Sequence, residues 1–403
     1  MSYFHLNFIL KGKLTVCCLL MLSVMPLNAQ REAKQIGDFK ESISLNEHLR
    51  GTKRTLQYRP DGDEFVCVNG KNRYTRALYG SHSPFRVETS DRPVFAFYNN
   101  GRGGNISFKV ILRDGTELAL DCTGHCESRY SAGKRTYYLT DPSWGKGELR
   151  ISVLALADMD GAIWRFSPSN MPKGAILRWQ HGGATGKRLS RNGDMGVDPA
   201  DCFELPAEAT DLVTGELSLQ KEVYLVRGEV PEGYNVRKLY QQAEAASLAL
   251  ASHLKIETPD PYLNTLGGAL VAAADGIWDG QVWLHGAIGW RMPLSGWRAG
   301  YTGDALGWHD RARTHFDAYA ASQVTDVPNT IPHPAQDSTM NLARSEKRWG
   351  TPQYSNGYIC RNPGRNNQMH HYDMNLCYMD ELLWHFNWTG DTAYVRKMWP
   401  VIT

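Results

Sequence analysis

From Thr55 to Val230 apolar and polar residues alternate in short runs. The runs are Thr55–Tyr58, Glu64–Val68, Val94–Tyr98, Ile106–Leu112, Glu117–Leu120, Arg135–Leu139, Glu148–Leu156, Ala162–Phe166, Ala175–Gln180 and Leu217–Val226. A period of two sends successive side chains to opposite faces of a strand, and the β-branched and aromatic residues that fill these runs suit a pleated, half-buried surface. Turn-forming clusters separate them, among them Pro60-Asp61-Gly62, Asn99-Asn100-Gly101, Arg113-Asp114-Gly115 and Asp158-Met159-Asp160-Gly161. Many short strands with no helix between them predict a β-sandwich over residues 51–232.

The period changes near Asn235. Val236, Leu239, Ala243, Ala246, Leu248 and Leu250 fall at helical spacing in an Ala-rich segment free of Gly and Pro, which predicts a linker helix over 233–258. Asp260 followed by Pro261 reads as a helix cap and first turn. The helix it opens carries Leu263, Leu266, Leu270, Ala273, Ala274 and Ile277. A further helix is predicted from Asp304 to about Ser322, with Ala305, Trp308, Ala312, Phe316 and Tyr319 on one face. Residues 324–371 read as a long loop rich in Pro, Asn and Gly, of a length that is usually functional. Tyr372 to Trp388 forms the next helix, with Leu376, Met379, Leu383 and Phe386 facing the core, and Asp391 caps the last. Helices of this kind bury a face against neighbours. Tyr394, Val395, Met398 and Trp399 have no later element to pack on, so the pattern predicts a fragment of a longer protein.

Composition narrows the partners. The net charge is +2 over 403 residues with no long basic run, which argues against nucleic acid. Lys11 and Lys13 precede an apolar run, Leu14 to Leu27, too short to span a membrane, and Ala29 precedes Gln30 at the expected cleavage point. Residues 1–29 therefore read as a signal peptide and 30–50 as a polar leader, giving a periplasmic or secreted protein without a membrane span. Cleavage leaves six cysteines, of which Cys122 and Cys126 flank His125. No second Cys or His pair follows at zinc-finger spacing, so no metal is expected, and no cofactor motif is present. A local disulfide between Cys122 and Cys126 is open, with two ordinary thiols the commoner outcome.

The stretch Trp283–Tyr319 concentrates Trp283, Trp290, Trp297 and Trp308 among His285, Arg291, Arg298, Asp304, His309, Asp310, Arg311 and Arg313. Indole faces beside bidentate donors and carboxylates suit a concave site for a carbohydrate. The predicted substrate-binding set is Trp283, His285, Trp290, Arg291, Trp297, Arg298, Tyr301, Trp308, His370, His371 and Tyr372. Glycoside hydrolysis needs two carboxyl groups across the scissile bond. Asp304 and Asp373, each at a predicted helix start, are the catalytic candidates. Asp279 reads as a turn residue and Asp310 as the partner of Arg311 or Arg313.

The run Arg298-Ala299-Gly300-Tyr301-Thr302-Gly303-Asp304-Ala305 resembles the second half of the α-L-rhamnosidase motif Asp-Glu-Arg-x-Gly-aromatic-x-Gly-Asp-Ala. Asn387-Trp388-Thr389-Gly390-Asp391, followed by Met398-Trp399-Pro400, is similar to a segment between later helices of that group. The resemblance, confined to 261–403, is to the six-hairpin glycosidases. It implies an incomplete (α/α)6 barrel over 259–403 behind the sandwich, and an inverting glycoside hydrolase. Asp304 carries over as a substrate-contacting carboxylate. The family's acid Glu is absent, because Trp297 stands before Arg298. Two alternatives remain. One is a toroid-type polysaccharide lyase using His370, His371 and Tyr372 with Arg361, Arg365, Asn366 and Asn367. The other is a non-catalytic sugar-binding protein.

Overall fold

The computed structural model describes residues 57–71, 76–99, 102–182, 212–230, 232–286, 291–296, 300–325, 336–337, 342–343, 357–363 and 372–403. The expected signal peptide and leader lie outside these residues. Fourteen strands come first: β1 (Arg59–Asp61), β2 (Glu64–Val68), β3 (Arg76–Leu78), β4 (Arg86–Thr89), β5 (Phe95–Asn99), β6 (Arg102–Ile111), β7 (Glu117–Ala119), β8 (His125–Ser131), β9 (Lys134–Thr140), β10 (Glu148–Ala155), β11 (Gly161–Ser169), β12 (Ile176–Gly182), β13 (Val213–Ser218) and β14 (Val223–Gly228). Six α-helices follow among the described residues: α1 (Val236–Ala251), α2 (Pro261–Gly276), α3 (Tyr301–Ala305), α4 (His309–Ala320), α5 (Tyr372–Thr389) and α6 (Thr392–Ile402).

The strands form two antiparallel sheets. One runs β1-β2-β8-β9-β10-β11-β14; the other runs β13-β12-β6-β5-β4-β3, with β7 on β6. Their inner faces meet in a shared aromatic core. Phe95 packs edge-on against Trp164 with centroids 5.5 Å apart, and Phe108 meets Phe166 at 5.2 Å. The expected sandwich is therefore present, with one correction inside it. The run read as a single strand, Leu217–Val226, is two strands in different sheets, separated by a turn at Leu219–Lys221.

Local capping holds the helices where the sequence places them. Asn235 Oδ1 accepts from Lys238 N–H at 3.1 Å, Asp260 Oδ1 from Tyr262 N–H at 2.8 Å, and Asp391 Oδ1 from Ala393 and Tyr394 N–H. α1 lays Leu239, Tyr240 and Ala243 onto Leu154, Leu156 and Ile163 of the first sheet. Part of the apolar set on α2 and α5 faces the core, Ala274 and Ile277 on one and Met379 and Phe386 on the other, and part does not. Leu263, Leu270, Leu376 and Leu383 are exposed, whereas Thr265, Gly267 and Val271 of α2, and Met374, Tyr378, Glu381, Leu382 and His385 of α5, are buried. Small residues let α2 approach α1 closely. On α5 the buried face carries polar groups whose partners come from distant segments.

Strands and helices from Gln57 to Thr403 form one compact unit. Their joint centres on the C-terminal end of α2. Arg86 Nη2 and Arg291 Nη1 both donate to Gly276 O, at 2.6 and 3.1 Å, and Arg291 Nη2 donates to His82 O at 3.2 Å. Unpaired carbonyls at a helix end attract cations, which is what the two guanidinium groups supply.

Candidate functional site

The predicted helix from Asp304 to Ser322 is broken. Gly307 adopts φ +74°, a left-handed conformation that halts α3, and α4 restarts at His309. Asp304 and Asp310 thus sit on different helices. The break turns Asp304 inward: it is 3 % exposed, and both its oxygens are engaged. His309 Nδ1 lies 2.7 Å from Asp304 Oδ1, and His385 Nδ1, from α5, lies 2.9 Å from each Asp304 oxygen. Carboxylate oxygens accept, so each imidazole faces Asp304 with Nδ1 as the donor. His385 is fully buried, whereas the His309 side chain is 39 % exposed. Asp304 therefore links an inner and an outer imidazole.

These three donors lie within 4.8 Å of one another, close enough to hold a metal ion. The separations of 2.7 and 2.9 Å are hydrogen-bond lengths. Ligands on a tetrahedral zinc with bonds of about 2.0–2.1 Å stand roughly 3.3 Å apart. As placed, the three side chains are joined by hydrogen bonds.

A second buried carboxylate belongs to the same junction. Glu381, one turn before His385 on α5, accepts from Gly300 N–H at 2.9 Å through Oε2. Gly300 precedes Asp304 by four residues and Glu381 precedes His385 by four, so the two contacts are offset by one helical turn, about 6 Å of rise. At the outer rim, Tyr301 donates its hydroxyl hydrogen to Asp380, which raises the phenol pKa.

The structure disperses much of the sequence-predicted set. Trp283 is fully buried, stacked near Trp278 and His315 with centroids 4.7 and 5.6 Å away, and its Nε1 has no hydrogen-bond partner among the described residues. It is a core residue here. Its backbone N–H donates to His315 Nδ1 at 3.1 Å, and burial drives the His315 pKa down to about 3. Arg291 serves the joint with the sandwich. Trp308 is half-buried beneath the Arg311 guanidinium, 4.3 Å from its ring. His285 is exposed, its backbone N–H donating to Met292 O. Asp373 is exposed at the start of α5, twelve residues before His385 and so roughly 18 Å along the helix; it is not brought to Asp304. Trp290, Trp297, Arg298, His370 and His371 lie outside the described residues, as does the side chain of Tyr372.

Asp279 accepts from Gln281 and Val282 N–H, the expected turn, and Asp310 pairs with Arg313. Arg311 goes instead to Asp275, donating to Oδ1 at 2.6 Å. Cys122 and Cys126 are free thiols. Sequence reasoning missed His309, His385 and Glu381 as site residues. The available signal was on α5, where Glu381 and His385 fall in register with the buried Tyr378 and Leu382.

No curated protein matches the chain. Residues 100–230, the part of the sandwich from β6 to β14, match the model of a family described as a domain of unknown function, DUF4450.

Proposed function

We propose that this chain is an exported glycoside hydrolase, or the N-terminal part of one, acting on a poly- or oligosaccharide by inversion. In this reading the helices belong to an (α/α)6 barrel and the reaction site lies at the junction of α3, α4 and α5. The observation that carries the proposal is the Asp304 carboxylate, held between buried His385 and half-exposed His309. That arrangement orients the His309 ring so that Nε2 is the nitrogen turned away from the carboxylate, the position from which it would take a proton.

In hydrolysis the bond from the anomeric carbon to the leaving oxygen breaks as that oxygen receives a proton. A water attacks the same carbon and yields a proton to a base. His309 fits the base, with Asp304 as its positioning residue. Glu381 fits the acid. The resemblance leaves the acid position before Arg298 occupied by Trp297, and Glu381 reaches this segment from α5 through Gly300 N–H. The second carboxyl group thus comes from the opposite helix, in place of Asp373.

The test is a screen of the full chain against plant and host glycans, scored by new reducing ends and by the anomer first released. Substituting His309→Ala or Glu381→Gln should lower turnover by about 10²–10⁴-fold. Asp304→Asn should lower turnover and displace its pH profile. Wild-type rates in all three variants would remove the junction from the mechanism, and a product absorbing as an unsaturated uronide would replace hydrolysis with elimination.

A further inference from the structure

A second feature lies on the outer face of the first sheet. The solvent face of the first sheet forms a cleft of about 520 Å³, within the range of small-molecule sites, about 300–1,000 Å³. Its floor is a register row. Glu127 of β8 stands opposite Tyr138 of β9, Tyr138 opposite Arg150 of β10, and Arg150 opposite Ser167 of β11. With strands about 4.8 Å apart, the row extends roughly 14 Å, longer than one sugar ring. His125 and Glu148 stand in the next row outward on the same face.

The charges in this row are handled unlike those elsewhere on the sheets. Arg129, Arg165 and Arg178 are each closed by carboxylates. Arg150 has no carboxylate within ion-pair distance among the described residues; its guanidinium instead lies 5.2 Å from the centre of the Tyr138 ring. A stacked guanidinium is orientationally fixed yet keeps its in-plane N–H groups available. The side chains of Glu148 and His125 likewise have no hydrogen-bond or ion-pair partner among the described residues. Tyr138 is 38 % exposed, one of the large hydrophobic side chains that the fold leaves in water.

We infer that this cleft is a binding site for a neutral oligosaccharide, separate from the helical junction. Arg150 and Glu148 offer a fixed donor fork and an acceptor pair, the complement of neighbouring sugar hydroxyls. Tyr138, whose ring centre lies 5.2 Å from the Arg150 guanidinium and 5.8 Å from that of Arg129, adds the part of its ring that stays exposed as apolar surface beside them. The lining charges of Arg150 and Glu148 cancel, and Glu127 is neutralised by Arg129, its Oε1 accepting from Arg129 Nε at 2.6 Å. The site therefore selects for hydrogen-bonding capacity and against net charge. Each strand around it is fixed by the sheet, so the ligand meets a surface that needs no reordering.

The test is titration calorimetry of the full chain with cellohexaose, xylohexaose, mannohexaose and polygalacturonate. A neutral hexaose should bind, and Tyr138→Ala, Arg150→Ala and Glu148→Ala should each weaken it at least tenfold with thermal melting unchanged. All three positions are outward-facing, so loss of fold is separable from loss of binding. His309→Ala and Glu381→Gln should leave binding intact even if they abolish turnover, which separates this site from the proposed reaction site. Binding to polygalacturonate alone, binding unchanged in all three cleft variants, or no binding to any neutral hexaose would each overturn the inference.

Discussion

Glu88 and Asp304 are both carboxyl groups withdrawn from water, 1 % and 3 % exposed, yet the two halves of the molecule treat them in opposite ways. Glu88 lies on β4 with neither oxygen hydrogen-bonded among the described residues. Burial pushes its pKa from 4.5 to about 7, against the pull of Arg86 and Arg76. Asp304 has two N–H donors on its oxygens and no Arg or Lys ion pair among the described residues. One acid is kept by retaining its own proton, the other by borrowing protons from neighbours. The lesson is that depth alone does not mark a reactive group. The donors around it do, because they decide which protonation state the interior accepts.

The strongest challenge to that contrast comes from the residue at its edge, Trp283. Replacing it by Ala should cost about 3–5 kcal/mol in urea denaturation, as for other large core side chains. Unchanged stability with loss of glycan binding would return Trp283 to the site. Next comes Glu88→Gln. The folded chain holds the Glu88 proton to about pH 7, whereas the unfolded chain releases it near 4.5. Stability is therefore complete below 4.5, falls between 4.5 and 7, and stays at the lower level above. A rise from 4.5 to about 7 corresponds to roughly 3 kcal/mol. The Gln variant should gain up to that amount at pH 8 and show a flatter profile in urea melts from pH 4 to 8. An identical profile would mean Glu88 is solvated.

Asp304→Asn sets an amide N–H against an imidazole N–H, and should cost about 2–3 kcal/mol. It should also move the His309 ring resonances in an NMR pH titration. No movement would show that the 2.7 Å contact is absent in solution. The smallest effect, about 1 kcal/mol, is expected for Asp391→Ala, which removes the cap of α6. It should lower the melting temperature while leaving the His309 titration unmoved, since this carboxylate is structural.

What the sequence disclosed was local. Caps at Asp260 and Asp391, the turn at Asp279 and most strands of the sandwich depend on neighbours a few residues away, and those readings agree with the structure. The pairing of Asp304 with His385 spans 81 residues, and no periodicity encodes it. Counting apolar residues on α5 was half right: Met379 and Phe386 pack against the core while Leu376 and Leu383 are exposed, because the inner face also includes Glu381 and His385, whose hydrogen bonds to Gly300 and Asp304 offset the cost of burial. The same limit applies to Trp283. Its neighbours in sequence suggested an open site, whereas Gly303, with no room for a Cβ beside the indole, closes over it.

The grip of Arg86 and Arg291 on Gly276 bears on how the molecule could be divided. The carbonyl they share ends a helix of one half, Arg86 belongs to the other, and a methyl group at Gly276 would stand 2.6 Å from the Tyr79 ring. Cutting between the halves would strip that helix end of a counter-charge and take from Arg86 the acceptor of its Nη2, leaving it the carbonyls of Ser83 and Phe85. Recombination should therefore have moved sandwich and helices together, as one inheritable cassette.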